Sequence, residues 1–187
     1  MDDHLKFEKE YWGNCANTFD EDQKHYVYAK FMEIPCNHYS FDVGDKRILD
    51  IGGGPSSMLL KCKNLRSGKV IDPIAYPEWT KMRYAAHNIE VEVQDGEDAF
   101  ELTFDEVWIY NCLQHAHSVE KIIKNAKRAA PVLRIFEWID IPAHEGHPIE
   151  LTKKLLDDII GLPGSGTAYL NESGCSGLAY YGVFRQC

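Results

Sequence analysis

The residues best placed to do chemistry are Asp50-Ile51-Gly52-Gly53-Gly54-Pro55-Ser56, which follow the apolar pair Ile48-Leu49. Glycines let a chain turn sharply and let its backbone approach a ligand with no Cβ in between. An acid inside an apolar strand is costly unless donors reach its carboxylate. The pattern predicts a buried strand over residues 48–51, then a glycine loop. It also predicts a helix over 56–63 whose free N–H groups point back at the loop. Strand, acid, glycines and helix start together describe a site for a nucleotide-like cofactor. Polar residues recur where later apolar runs end: Asp72-Pro73, Asp95-Gly96 and Asn111.

A second group of candidates follows the later runs. His115 and His117 lie just past Asn111, and His144-Glu145-Gly146-His147 follows the run that ends at Trp138. A histidine can accept a proton near neutral pH, so His115 and His147 are candidate catalytic residues. The spacing His-Glu-x-His differs from His-Glu-x-x-His, which sets two histidines on one helical face, so no metal is expected. Tyr11, Trp12 and Tyr26 crowd the N-terminal segment, and with His144 they are candidates for a lid or a substrate wall. An aromatic face there could attract a cation. The same rings would also serve to seal N-terminal helices onto a sheet.

These residues need a scaffold that brings several strand ends together. Strands are expected at 48–51, 69–71, Ile89–Val93, Glu106–Tyr110 and Val132–Trp138. Helices are expected between them at 56–63, 77–88, 118–130 and 148–160, the last closed by Gly161 and Pro163. Runs 167–170 and 178–184 flank Asn171-Glu172-Ser173-Gly174 and read as a terminal hairpin. Strand–helix alternation predicts an α/β fold: a Rossmann-like, doubly wound, seven-stranded sheet, mostly parallel with a C-terminal antiparallel hairpin. Residues 1–45 are expected to form a helical extension or lid, and 46–187 the cofactor-binding domain, within one globular unit.

Composition narrows the partners. The 187 residues suffice for a sizeable core, and 44% are hydrophobic. The formal charge is −9, with scattered basic residues, which argues against a nucleic-acid footprint. No apolar stretch approaches a membrane span. The six cysteines form no Cys-x-x-Cys pair, and the start, Met1-Asp2-Asp3-His4, is acidic rather than leader-like. Both features suit reduced thiols in a cytoplasmic protein.

Glycines alone do not separate a dinucleotide from S-adenosyl-L-methionine. Read as Gly-x-Gly-x-x-Gly from Gly52, the last position is Ser57, and the only Tyr-x-x-x-Lys pair, Tyr26 with Lys30, precedes the loop. Over residues 46–187 the chain resembles the class I S-adenosylmethionine-dependent methyltransferases, most closely the type 11 group. The resemblance rests on Asp50-Ile51-Gly52-Gly53-Gly54, on Asp72, on Asp95-Gly96-Glu97, and on Phe104-Asp105-Glu106-Val107 followed by Asn111-Cys112-Leu113-Gln114-His115. A third family glycine is Ser56 here. The resemblance implies that Gly52, Gly53 and Gly54 touch the methionine part. It implies that Asp50 orients the loop or receives the cofactor's amino group. Asp72, beside Pro73, would hold the ribose, Asp95 and Gly96 would read the adenine, and Asn111 would face the ammonium.

The acceptor is expected to be a small molecule or a glycan, methylated on oxygen by in-line transfer. The Asn/Asp-Pro-Pro-aromatic motif of nucleic-acid amine methyltransferases is missing after Asn111, and the one Pro-Cys pair, Pro35-Cys36, lies before the first strand. Two other uses of the fold stay open: a non-catalytic S-adenosylmethionine-binding partner or regulator, and a protein methyltransferase. An unpaired sheet edge or the terminal hairpin could make an oligomer.

Overall fold

The computed structural model describes residues 3–99 and 103–186. Two helices come first, α1 (Asp3–Trp12) and α2 (Cys15–Phe31). They are followed by β1 (Cys36–Asn37), β2 (Ser40–Ile51), β3 (Cys62–Asp72), α3 (Glu78–Ala85), β4 (Ile89–Val93) and β5 (Glu106–Tyr110). The chain ends with α4 (Val119–Ala129), β6 (Val132–Trp138), α5 (Lys153–Ile160), β7 (Ser165–Glu172) and β8 (Cys175–Arg185).

Alternate residues of the central strands face opposite sides of one sheet, and both sides are apolar. Ile48, Val70, Trp108, Tyr110 and Phe136 join one core with Val27 and Tyr28 of α2, Met32 just past it, and Tyr84 of α3. Leu49, Ile51, Val107, Ile109, Leu133 and Ile135 join the other, with Ile122, Ile123 and Ala126 of α4 and Leu156 and Ile160 of α5. Helices therefore cover both faces, as the buried strand sequences require.

The strand order is β4-β3-β2-β5-β6-β8-β7. The first five are parallel, and β8 runs antiparallel to both neighbours. These are the seven expected strands. The two-residue β1 is an eighth, folded back on the start of β2 through the pairs Cys36↔Phe41 and Asn37↔Ser40. From β2 the chain goes one way to β3 and later returns on the other side as β5, so the order reverses between β2 and β5. In open sheets of this kind ligands bind at that switch, beyond the C-terminal strand ends.

Three expectations are corrected. No α-helix spans 56–63; a single 3-10 turn, Met58–Lys61, takes its place. Cys62 pairs with Phe41 and Ile71 with Ile51, so residues 52–61 must carry the chain back along the length of β3. That distance is about 30 Å at 3.3 Å per strand residue, whereas ten helical residues would cover about 15 Å. The crossover has to stay extended. Second, α5 starts at Lys153 rather than 148, because Thr152 caps it by accepting from Leu155 N at 3.1 Å. Third, the helical lead-in ends at Phe31, and β1 and the first half of β2 fall before residue 46. Among the described residues no helix is long and apolar enough to cross a membrane.

Candidate functional site

A cavity of about 960 Å³, its open mouth included, lies at the switch point between the ends of β2, β3, β4 and β5. Its floor is the glycine loop. Gly52 has φ +73°, and its N–H donates to Ile71 O at 2.8 Å. A Cβ on Gly52 would sit 2.7 Å from Cys112 Cβ, so both conformation and space require glycine there. Gly54 (φ +58°) donates its N–H to Asp72 Oδ2 at 3.2 Å. Past the loop, Ser57 N donates to Tyr84 Oη at 2.7 Å and Met58 N to Tyr110 Oη at 2.9 Å. The N–H groups expected to face a ligand from a helix start are therefore bound to tyrosines instead.

Asp50 lies beneath the loop and off the cavity wall. It is fully buried, and its Oδ2 accepts from Ser57 Oγ at 2.5 Å and Tyr110 Oη at 2.6 Å. Burial pushes its carboxyl up to about 7, against the pull of those two hydroxyls. A Cβ on Gly53 would come within 2.5 Å of Asp50 Oδ2. Asp50 thus braces the loop from below.

Asp72 closes β3 on the cavity wall. Its two oxygens accept from Gly54 N and Ile74 N, and burial raises it to about 6. A carboxylate offers about four acceptor positions, so capacity remains for ligand hydroxyls. Pro73 and Tyr76 line the wall beside it. At the end of β4, Asp95 Oδ1 accepts from Glu97 N at 2.9 Å, which sets a tight turn. Gly96 is buried in that turn, where a Cβ would meet Ile51 Cγ2 at 2.8 Å.

At the end of β5, Asn111 adopts φ +50° on the wall, and its Nδ2 donates to Glu21 Oε1 at 3.1 Å. The next turn is held by Glu137, fully buried at the end of β6. Its carboxylate accepts from Cys112 N and Leu113 N, both at 3.1 Å, and burial raises it to about 8.

The N-terminal helices supply the remaining wall. Glu8, Trp12 and Glu21 all line the cavity. Trp12 Nε1 donates to Glu8 Oε2 at 3.0 Å, and His115 Nδ1 lies 3.3 Å from Glu8 Oε1. Burial raises Glu8 to about 7, against the pull of the Trp12 donor. Glu21 accepts from Tyr28 Oη, Asn111 Nδ2 and Lys24 Nζ.

Of the expected site residues, Gly52, Gly53, Gly54, Asp72, Pro73, Asp95, Gly96, Asn111, His115 and Trp12 are on the wall. His147 stands behind His115, with ring centres 4.7 Å apart, and His144 stands behind His147 at 4.3 Å. Neither of these two lines the cavity. Tyr11 meets Trp12 edge-on from outside, and Tyr26 packs on Phe41 and Tyr39 away from the site. Sequence reasoning missed Glu8, Glu21, Tyr76 and Glu137. The one local signal was the spacing of Glu8 and Trp12, four residues apart on one helical face. Among the described residues no cluster could hold a metal ion.

No family model and no curated protein matches the sequence. Solved structures do match the fold. The Burkholderia thailandensis 1,6-didemethyltoxoflavin-N1-methyltransferase, with S-adenosylhomocysteine bound, superposes with a TM-score of 0.68 at 14% identity. It covers 98% of this chain and 86% of its own. The Bradyrhizobium japonicum N-methyltransferase NodS, also with S-adenosylhomocysteine, gives 0.69 at 15% identity, over 98% of each chain. A Thermotoga maritima methyltransferase, described as a possible histamine N-methyltransferase, gives 0.62 at 13% identity, over 96% of this chain and 97% of that one. The fold is that of the class I S-adenosylmethionine-dependent methyltransferases.

Proposed function

We propose that the protein is an S-adenosyl-L-methionine-dependent methyltransferase acting on a small molecule. The observation that carries this reading is the cavity at the switch point. There Gly52–Gly54, Asp72 and Asp95-Gly96 come from three successive strand ends onto one wall. The residues present fit the cofactor: a backbone floor with no Cβ, a buried carboxylate for a diol, and a glycine turn for a flat ring edge. The bound cofactor would supply an activated methyl group on a sulfonium. The protein's part is to hold, orient and keep out water, which can supply much of the rate.

In this reading Gly52 and Gly54 take the methionine portion and Asp72 takes the ribose hydroxyls. Asp95 with Gly96 takes the adenine, and Asn111 faces the ammonium. Asp50 and Glu137 act only by fixing the two loops. Glu8, Trp12 and Glu21 on the wall support residues 1–45 as the cover of the site. Of the similar structures, one is named as a 1,6-didemethyltoxoflavin-N1-methyltransferase and another is described as a possible histamine N-methyltransferase, which supports a small acceptor.

The test is calorimetric titration with S-adenosylmethionine, S-adenosylhomocysteine and NAD. Binding of the first two and not of NAD is the expected result. Asp72→Ala should weaken both by roughly tenfold or more, the scale of a lost charge-assisted hydrogen bond. A thermal melt checks that the variant is folded. NAD binding, or no binding of either adenosyl compound to the wild type, would overturn the proposal.

A further inference from the structure

The charged side chains on the cavity wall are unbalanced. Glu8, Glu21, Asp72 and Asp95 are there, and among the described residues no lysine or arginine is. The proposed cofactor carries a sulfonium, an ammonium and one carboxylate, a net single positive charge. Asp72 already receives two backbone N–H groups, and Glu21 is occupied by Tyr28, Asn111 and Lys24. Glu8 differs. It is 9% exposed, and among the described residues no lysine or arginine lies within ion-pair distance of it. It meets the Trp12 indole N–H and the His115 ring.

Those partners hold Glu8 still while leaving it an acceptor. His115 Nδ1 lies 2.6 Å from Gly146 O, which can only accept, so the network places the ring proton on Nδ1. Its Nε2 then receives the Gln114 side-chain amide at 3.3 Å. In that tautomer the Nδ1 proton goes chiefly to Gly146 O, Glu8 Oε1 lies beside it at 3.3 Å, and His115 is a positioning residue. The group on this part of the wall with lone pairs still to fill is Glu8. A buried carboxylate without a cation is costly, and a cationic ligand relieves that cost.

Resting on the proposed function, we infer that the acceptor is an amine that enters as a cation, and that Glu8 is the carboxylate that receives it. The proton moves from the ammonium nitrogen to a Glu8 oxygen, leaving a neutral amine and a neutral carboxyl. The nitrogen lone pair freed in this way becomes the new N–C bond while the S–C pair stays on sulfur. This moves the expected acceptor atom from oxygen to nitrogen. Burial of Glu8, which raises it to about 7, suits a group that takes a proton at neutral pH.

The test needs no knowledge of the natural acceptor. The probes are S-adenosylhomocysteine and sinefungin, the analogue with an ammonium-bearing carbon where the cofactor has its methylated sulfur. Both are titrated calorimetrically into wild type and Glu8→Gln. Wild type should bind the ammonium analogue at least about tenfold more tightly than S-adenosylhomocysteine, the scale of a charge-assisted hydrogen bond in a buried site. Glu8→Gln should keep its affinity for S-adenosylhomocysteine, which also reports that it is folded, and lose most of the gap. Equal affinities in wild type would overturn the amine reading, whatever the variant does. A gap that survives in Glu8→Gln would overturn the role of Glu8. Failure of wild type to bind either probe would remove the cofactor reading itself.

Discussion

The two ends of the sheet treat buried carboxylates in opposite ways. At the N-terminal end of β5, Glu106 is surrounded by donors: Arg134 Nε at 2.7 Å, Arg134 Nη2 at 3.0 Å, Lys46 Nζ at 2.7 Å and Trp108 Nε1 at 2.9 Å. Burial alone would raise this carboxyl, but Arg134, Lys46 and Trp108 hold it at about 2. At the C-terminal end, Asp50, Asp72, Glu137 and Glu8 are buried among hydroxyls, backbone N–H groups, an indole and a histidine, and all four are raised. Among the described residues no lysine or arginine pairs with any of them. One end has been neutralised and serves the scaffold. The other holds negative charge in reserve, as a site for a positively charged ligand would.

The largest effect should come from breaking the neutralised end. Arg134→Met leaves Glu106 with only Lys46 as a cation. It also strips Met32 O and Glu33 O, just past α2, of the Arg134 donor. Breaking a buried pair from one side costs about 3–5 kcal/mol, which urea unfolding would read as a lower midpoint with little change in slope. Adding Glu106→Gln should recover part of that loss, because the orphaned charge is then gone. If Arg134→Met is neutral, the contrast between the two ends is wrong.

An intermediate effect should appear with pH, and it comes from the opposite end. In the unfolded chain these carboxyls lose their protons near pH 4. Folded, Asp50 and Glu8 lose theirs at about 7 and Glu137 at about 8. Between those limits the folded state holds more protons, so stability falls as pH rises, and the loss is complete above Glu137's value. Below about 6.5 His25 opposes this trend with one proton, which makes the slope shallower but does not reverse it against the three carboxyls. Burial keeps this ring neutral in the fold, whereas the unfolded chain takes up a proton. Glu106 stays ionised throughout this window and adds nothing. Thermal melts at pH 6.5 and 8 should differ by at least about 3 °C, on the scale of 1 kcal/mol for a chain of this size. Asp50→Asn should flatten that slope. A stability that rises from pH 6.5 to 8 would contradict the reserve of uncompensated acids.

The sequence displayed the two ends unequally. β4, β5 and β6 fall at the residues expected, β4 because apolar residues and glutamates alternate along it, β5 and β6 because each is a short, mostly apolar run. The glycine loop was equally legible, since Gly52 and Gly54 need positive φ that few other residues tolerate. The missing helix at 56–63 was not. Its length is set by the pairing of Cys62 with Phe41, a contact that no local pattern records. Glu8 and Glu21 were hidden for the same reason. They meet His115 and Asn111, about a hundred residues away, and in their own segment the aromatic residues, not the carboxylates, drew the reading. Glu137 sits in a strand beside Trp138, and only the fold shows that its carboxylate caps the turn at Cys112 and Leu113.

The smallest effect sharpens the comparison by removing burial while keeping the ion pair. On α5, Lys154 and Asp158 are paired four residues apart, with side chains 84% and 63% exposed. Water already solvates both charges, and holding two long side chains together costs the conformational freedom that the attraction would otherwise return. Lys154→Gln should therefore leave the urea midpoint unchanged within error. Arg134 and Lys154 each face a carboxylate at hydrogen-bonding distance, so distance cannot explain a difference between them. What differs is what the partner would face alone: Glu106 would be left inside the protein, and Asp158 would be left in water. If Lys154→Gln destabilised the protein as much as Arg134→Met, the relevant quantity would be the contact itself. The raised acids around the cavity would then say nothing about a missing cation.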